Sequence, residues 1–138
     1  MIPTKYQTLK INSNTQSLRL VERLVEDVCQ VYGVNEDCYG NMLIAVTEAV
    51  NNAIHHGNRD NPEKFVRIGF ESDERKLVFS VADEGNGFDY SNLPDPTDPA
   101  NLDKVSGRGV FLMTQLSDSI EFEQDGRKVL LGFNSTVS

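Results

Sequence analysis

The hydrophobic period of this chain changes along its length, and the order of those changes restricts the fold more than any other feature. Residues 5–11 alternate weakly, with Gln7, Leu9 and Ile11 on one side, which predicts an edge strand. Leu18, Val21, Val25, Val28 and Tyr32 then recur at spacings of three and four. That stripe predicts a helix from about 14 to 32, started by Asn12 to Asn14 and stopped by Gly33. A second helix, from about 36 to 56, is predicted by the stripe Tyr39, Met42, Leu43, Val46, Val50 and Ala53, with Gly57 ending it. Period two returns at 65–71 and 76–82, a hairpin with Val66, Ile68 and Phe70 facing one way and Leu77, Phe79 and Val81 alternating likewise. A helix from about 107 to 117 precedes a last hairpin that pairs 119–124 with 127–134 across Asp125-Gly126. The expected fold class is α+β: a two-layer sandwich of a mixed, mostly antiparallel five-stranded sheet with three helices on one face.

A chain of 138 residues reads as one domain, 1–138, large enough for a real core. No stretch approaches a transmembrane span, and Met1 to Tyr6 lacks the apolar core of a secretory signal. A formal charge of −8 argues against a nucleic-acid surface and is compatible with a basic protein partner. Cys29 and Cys38 match no metal-ligand spacing and read as reduced, partly buried thiols of a cytoplasmic protein. The polar segment from Phe88 to Ser106 carries Pro94, Pro96 and Pro99, and a loop of that length is expected to be a lid.

Three short stretches carry chemistry, and each has a plain alternative. Glu48 and Asn52 lie one turn apart on the polar side of the second helix, about 40° from each other. Adjacent asparagines in mid-helix are locally unfavourable, which an asparagine directed at a metal or phosphate would explain. Glu48 could take a proton from a hydroxyl or water attacking a phosphoryl group. The alternative is a solvated helix face. Asp83 stands at a strand exit before Glu84-Gly85-Asn86-Gly87. A carboxylate there can accept from the exocyclic amine of adenine, and Gly85 and Gly87 admit close approach of a flat ring. The alternative is an ordinary turn. Gly107 and Gly109 open an apolar helical run, a natural phosphate seat to which Lys104 or Arg108 could add charge; the alternative is a hinge. His55 and His56 diverge by about 100° on a helix, poor geometry for one shared ion, and read as helix-terminal structural residues.

Taken in order, the three stretches resemble one family. Thr47-Glu48-Ala49-Val50-Asn51-Asn52-Ala53-Ile54-His55-His56-Gly57 is similar to the N-box of the Bergerat-fold (GHKL) ATPases. Val81 to Phe88 resembles their adenine-binding box, and Ser106-Gly107-Arg108-Gly109-Val110-Phe111-Leu112-Met113 their glycine box. The nearest branch is the free-standing anti-sigma-factor serine/threonine kinases, and the resemblance spans roughly residues 14–134. It implies a helix-on-sheet sandwich that binds ATP with Mg2+. By position, Glu48 matches the general base, Asn52 the magnesium ligand and Asp83 the adenine-binding aspartate. Gly85 and Gly87 match the adenine-box glycines, while Gly107 and Gly109, with Lys104, Arg108 and Val110, complete the cofactor-binding set. The implied activity is phosphorylation of a serine or threonine on an anti-anti-sigma (STAS-like) protein, together with sequestration of a sigma factor. A homodimer is compatible with it, and neither nucleic acid nor membrane is an expected partner. Two other readings compete: an ATP-binding partner-switch adaptor without kinase activity, and a histidine-kinase catalytic fragment. Glu48 favours the kinase over the adaptor, because binding alone requires no base there.

Overall fold

The computed structural model describes residues 6–72, 76–86 and 107–134. Strand β1 (Tyr6–Asn12) leads through a short 3-10 turn, Thr15–Ser17, into helix α1 (Leu18–Tyr32). Asn14 caps the turn by accepting from the Ser17 N–H at 2.9 Å. The regular helix therefore begins with the apolar stripe at Leu18, a turn later than the expected start near residue 14. Gly33 ends α1 with φ 65°, and the Val34 N–H closes back on the Cys29 carbonyl at 2.9 Å. Asn35 caps helix α2 (Glu36–Asn52), with Glu36 and Asp37 in its first turn where the helix dipole favours them.

Strands β2 (Phe65–Ser72) and β3 (Lys76–Ala82) come next, then helix α3 (Gly107–Leu116), β4 (Ser119–Glu123) and β5 (Lys128–Asn134). The five strands form one sheet in the order β1-β2-β3-β5-β4. All four pairings are antiparallel, with β1 at one edge as expected. One sheet face is apolar at every second position. Ile11, Val66, Ile68, Phe70, Leu77, Phe79, Val81, Val129, Leu131 and Phe133 are all buried there against α1 and α2. Tilted and edge-on ring pairs run across that face from Tyr32 through Phe70 and Phe79 to Phe133, at 5.6, 5.1 and 6.2 Å between centroids. The Tyr32 hydroxyl shares a 2.8 Å hydrogen bond with Ser72, so the polar end of this buried row is satisfied.

Helix α2 does not continue regularly to residue 56. Ala53–Gly57 widens into a π-turn, closed by the Asn58 N–H on the Ala53 carbonyl at 2.8 Å. The β4–β5 connection is also longer than the Asp125-Gly126 pair suggests. Glu123 still pairs with Lys128, and Gln124, Asp125 and Gly126 all take positive φ. Among the described residues no helix is long and apolar enough to cross a membrane.

Candidate functional site

The apolar face of β3 ends at Val81, and the chain leaves the sheet at Asp83. The Asp83 N–H donates to the Arg127 carbonyl at 3.0 Å, extending the β3–β5 ladder by one rung. Its Oδ1 accepts from the Gly85 N–H at 2.8 Å, a local turn closed by the side chain. Burial pushes the Asp83 pKa above the ordinary carboxylate value, opposed by the Gly85 N–H and by the charges of Arg127 and Lys64. Two glycines make room for this turn. A side-chain carbon at residue 57 would run into the Asp83 carboxylate, and one at residue 85 would run into the Gly57 carbonyl. The π-turn presents Gly57 here, because its extra residue per turn rotates the chain beyond Asn52 relative to a regular helix.

Asp83 stands at the base of an open cavity. Helix α2 and the π-turn supply Ala49, Asn52, Ala53, His56 and Gly57; α3 supplies Met113; the β4–β5 hairpin supplies Phe122, Gly126, Arg127 and Val129. Apolar walls with one carboxylate at the base suit a flat ring that carries a donor on its edge.

At the other end of the cavity, α2 meets the first turn of α3. A side-chain carbon at Gly109 would stand 2.9 Å from Asn52 Nδ2 and 3.4 Å from Glu48 Oε2. Glu48 and Asn52 thus converge on one backbone segment, the start of a helix, whose first N–H groups lie outside the helical ladder. Val110 comes next with its side chain in the core. Asn52 is the member common to the cavity lining and the α2–α3 junction.

The structure therefore brings Glu48, Asn52 and Gly109 together, and separately Asp83 and Gly85. Gly107 and the backbone of Arg108 lie in the first turn of α3. The Arg108 side chain, Gly87, Lys104 and the expected lid from Phe88 to Ser106 lie outside the described residues. His55 turns to solvent, with Nδ1 2.6 Å from Asp60 Oδ1, while His56 lines the cavity. Among the described residues no three His, Cys, Asp or Glu side chains gather to hold a metal ion. Sequence reasoning missed Gly57, Asn58, Phe122 and Arg127 at the site. Gly57 was legible as a helix stop and the last residue of the N-box stretch, but not as a partner of Asp83, and Arg127 only as the residue after a hairpin turn.

A family model described as a histidine kinase-like ATPase domain matches residues 11–133. The chain belongs to this family. Membership in an ATPase domain family implies ATP as a ligand. Among curated relatives is a serine-protein kinase RsbW of Oceanobacillus iheyensis, 25% identical over 122 residues, covering 84% of this chain and 77% of that protein. The RsbW of Staphylococcus epidermidis is 28% identical over 122 residues, covering 83% and 77%. That of Bacillus velezensis is 29% identical over 126 residues, covering 87% and 79%. This member of the histidine kinase-like ATPases is thus similar across most of its length to proteins named serine-protein kinases.

Proposed function

We propose that this chain, read as a single domain over 1–138, is an ATP-dependent protein serine/threonine kinase. In this reading it acts as an anti-sigma regulatory factor in the cytoplasm. It phosphorylates an anti-anti-sigma partner and sequesters a sigma factor. The observation that carries the catalytic part is the convergence of Glu48 and Asn52 on Gly109 at one end of a cavity whose base is Asp83. The relatives named serine-protein kinases support a serine on a protein as the phosphoacceptor.

In this reading Asp83 accepts from the adenine amine, and Ala53, Met113, Phe122 and Val129 flank the ring. The triphosphate runs toward the first turn of α3, where helix N–H groups hold anionic oxygen. The glycine at 109 keeps that approach open, since a side chain there would meet Asn52. The Asn52 side-chain carbonyl is an oxygen donor that suits Mg2+, which takes few protein ligands beside phosphates and water. Bound there, the ion would neutralise charge on the β- and γ-phosphates. Glu48 accepts the proton of the partner's hydroxyl as its oxygen bonds to the γ-phosphorus and the bond to the leaving ADP oxygen breaks.

The test is transfer of label from γ-labelled ATP, with Mg2+, to a candidate anti-anti-sigma protein. Label on a serine or threonine supports the kinase. A wild type that binds both the partner and ATP but transfers nothing would replace this reading with the adaptor.

A further inference from the structure

Asn58 comes directly after Gly57 and is only 1% exposed. Its side chain is engaged at both ends. Nδ2 donates to Ser13 Oγ at 2.8 Å and to the Phe65 carbonyl at 2.9 Å, and Oδ1 accepts from the Glu84 N–H at 2.8 Å. Ser13 Oγ in turn donates to the Lys64 carbonyl at 2.7 Å. One amide therefore ties the end of the π-turn to the segment after β1, to the first residue of β2 and to the turn after β3.

Three successive amides of that last turn have fixed acceptors from three sources. Asp83 N–H goes to Arg127, Glu84 N–H to Asn58, and Gly85 N–H to Asp83 itself. The first holds the turn to the sheet, and the third closes it on itself. Only the second holds it to the helical layer, where Gly57 stands against the Asp83 carboxylate. Among the described residues no buried side-chain nitrogen or oxygen lacks a partner, so this network is complete.

We propose that Asn58 is a positioning residue for nucleotide recognition: through the Glu84 amide it fixes where the Asp83 carboxylate stands against Gly57 and the cavity. The proposal rests on reading this cavity as the ATP site. A carboxylate that must meet one edge of a purine tolerates displacement of only about 0.5 Å. Without Asn58 the turn after β3 keeps its sheet anchor and loses its helix anchor.

The test compares wild type, S13A, N58A, D83N and the N58A/D83N double variant by calorimetric ATP affinity and by urea unfolding. S13A removes one partner of the donor end and serves as the stability comparator. It should lower stability while leaving ATP affinity within about twofold. N58A should lower stability and also weaken ATP about tenfold, one hydrogen bond's worth of positioning. In the D83N background, N58A should weaken ATP no further, because the residue it positions is already lost. Equal losses in both backgrounds overturn the proposal, as does an N58A affinity within twofold of wild type. A wild type that binds no ATP overturns the site reading and the proposal with it, and is recognisable before any variant is made. Should N58A not fold, N58S, whose shorter hydroxyl falls short of the Glu84 amide, runs the same cycle.

Discussion

The carboxylate of Asp83 occupies the space that a side chain at Gly57 would need. Gly57 closes the helical stretch that carries Glu48 and Asn52, and Asp83 opens the turn after β3. The missing side chain of one residue admits the functional group of the other, so the two stretches form a single site.

Asp83→Asn separates recognition from stability. We expect ATP binding to weaken by roughly 1.5–3 kcal/mol, the range for a hydrogen bond to a charged group, and the preference for ATP over GTP to collapse. The apoprotein should instead gain thermal stability near neutral pH. The folded-state pKa of Asp83 is raised, chiefly by burial. Its contribution is therefore most favourable below the ordinary carboxylate range and is lost as pH rises through the raised value. The Tm advantage of the variant should be largest at pH 7 and vanish on acidification. Calorimetric scans over pH check this, and an advantage that grows toward acid refutes it.

Glu48→Gln keeps the shape and removes the proton acceptor. Phosphoryl transfer to the partner should fall by ~10²–10⁴-fold while ATP affinity moves little. Asn52→Ala should weaken Mg-ATP binding itself. Single-turnover assays beside calorimetry resolve the two, and a wild-type rate in E48Q removes Glu48 as the base.

Two glycine-to-alanine changes should move stability in opposite directions. At Gly85 the added carbon meets the Gly57 backbone, which cannot swing away, so a loss of about 1–3 kcal/mol is expected. At Gly40, inside α2, nothing lies within 4 Å, and alanine should stabilise by roughly 0.5–1 kcal/mol. Urea midpoints decide, and a destabilised G40A would show that something other than helix propensity governs that site.

Cys29 is buried, and its thiol is pushed up to about 11 by burial and by the neighbouring Cys38. Cys38 is partly exposed. Iodoacetamide near pH 8 should label Cys38 in the native state and Cys29 only on unfolding. Peptide mass mapping reads the order, and early labelling of Cys29 would mean that α1 opens locally.

Much of this architecture is legible in the periods of the apolar residues. Every strand lies within two residues of where alternation puts it, because one sheet face is buried and register is costly to shift. The Glu48–Asn52 pair is legible because helix geometry alone puts both on one side. The π-turn is not, since the apolar stripe through Val50 and Ala53 reads the same for a regular last turn. Asn58 is equally opaque: its partners Ser13 and Glu84 are distant in sequence, and Asn-Arg-Asp-Asn reads as an ordinary polar loop. Arg127 meets Asp83 through its carbonyl as well as its charge, and a main-chain contact leaves no trace in side-chain identity.

Strand β3 lies at the middle of the sheet, two strands from either edge. Its ladders on both sides must open before β3 can leave its place, whereas β1 and β4 each have one neighbour to lose. Fraying should therefore proceed from the margins inward. Amide protons of β1 and β4 will exchange ahead of those of β3, and the strand that leads into Asp83 will outlast a border that has already come undone at β1.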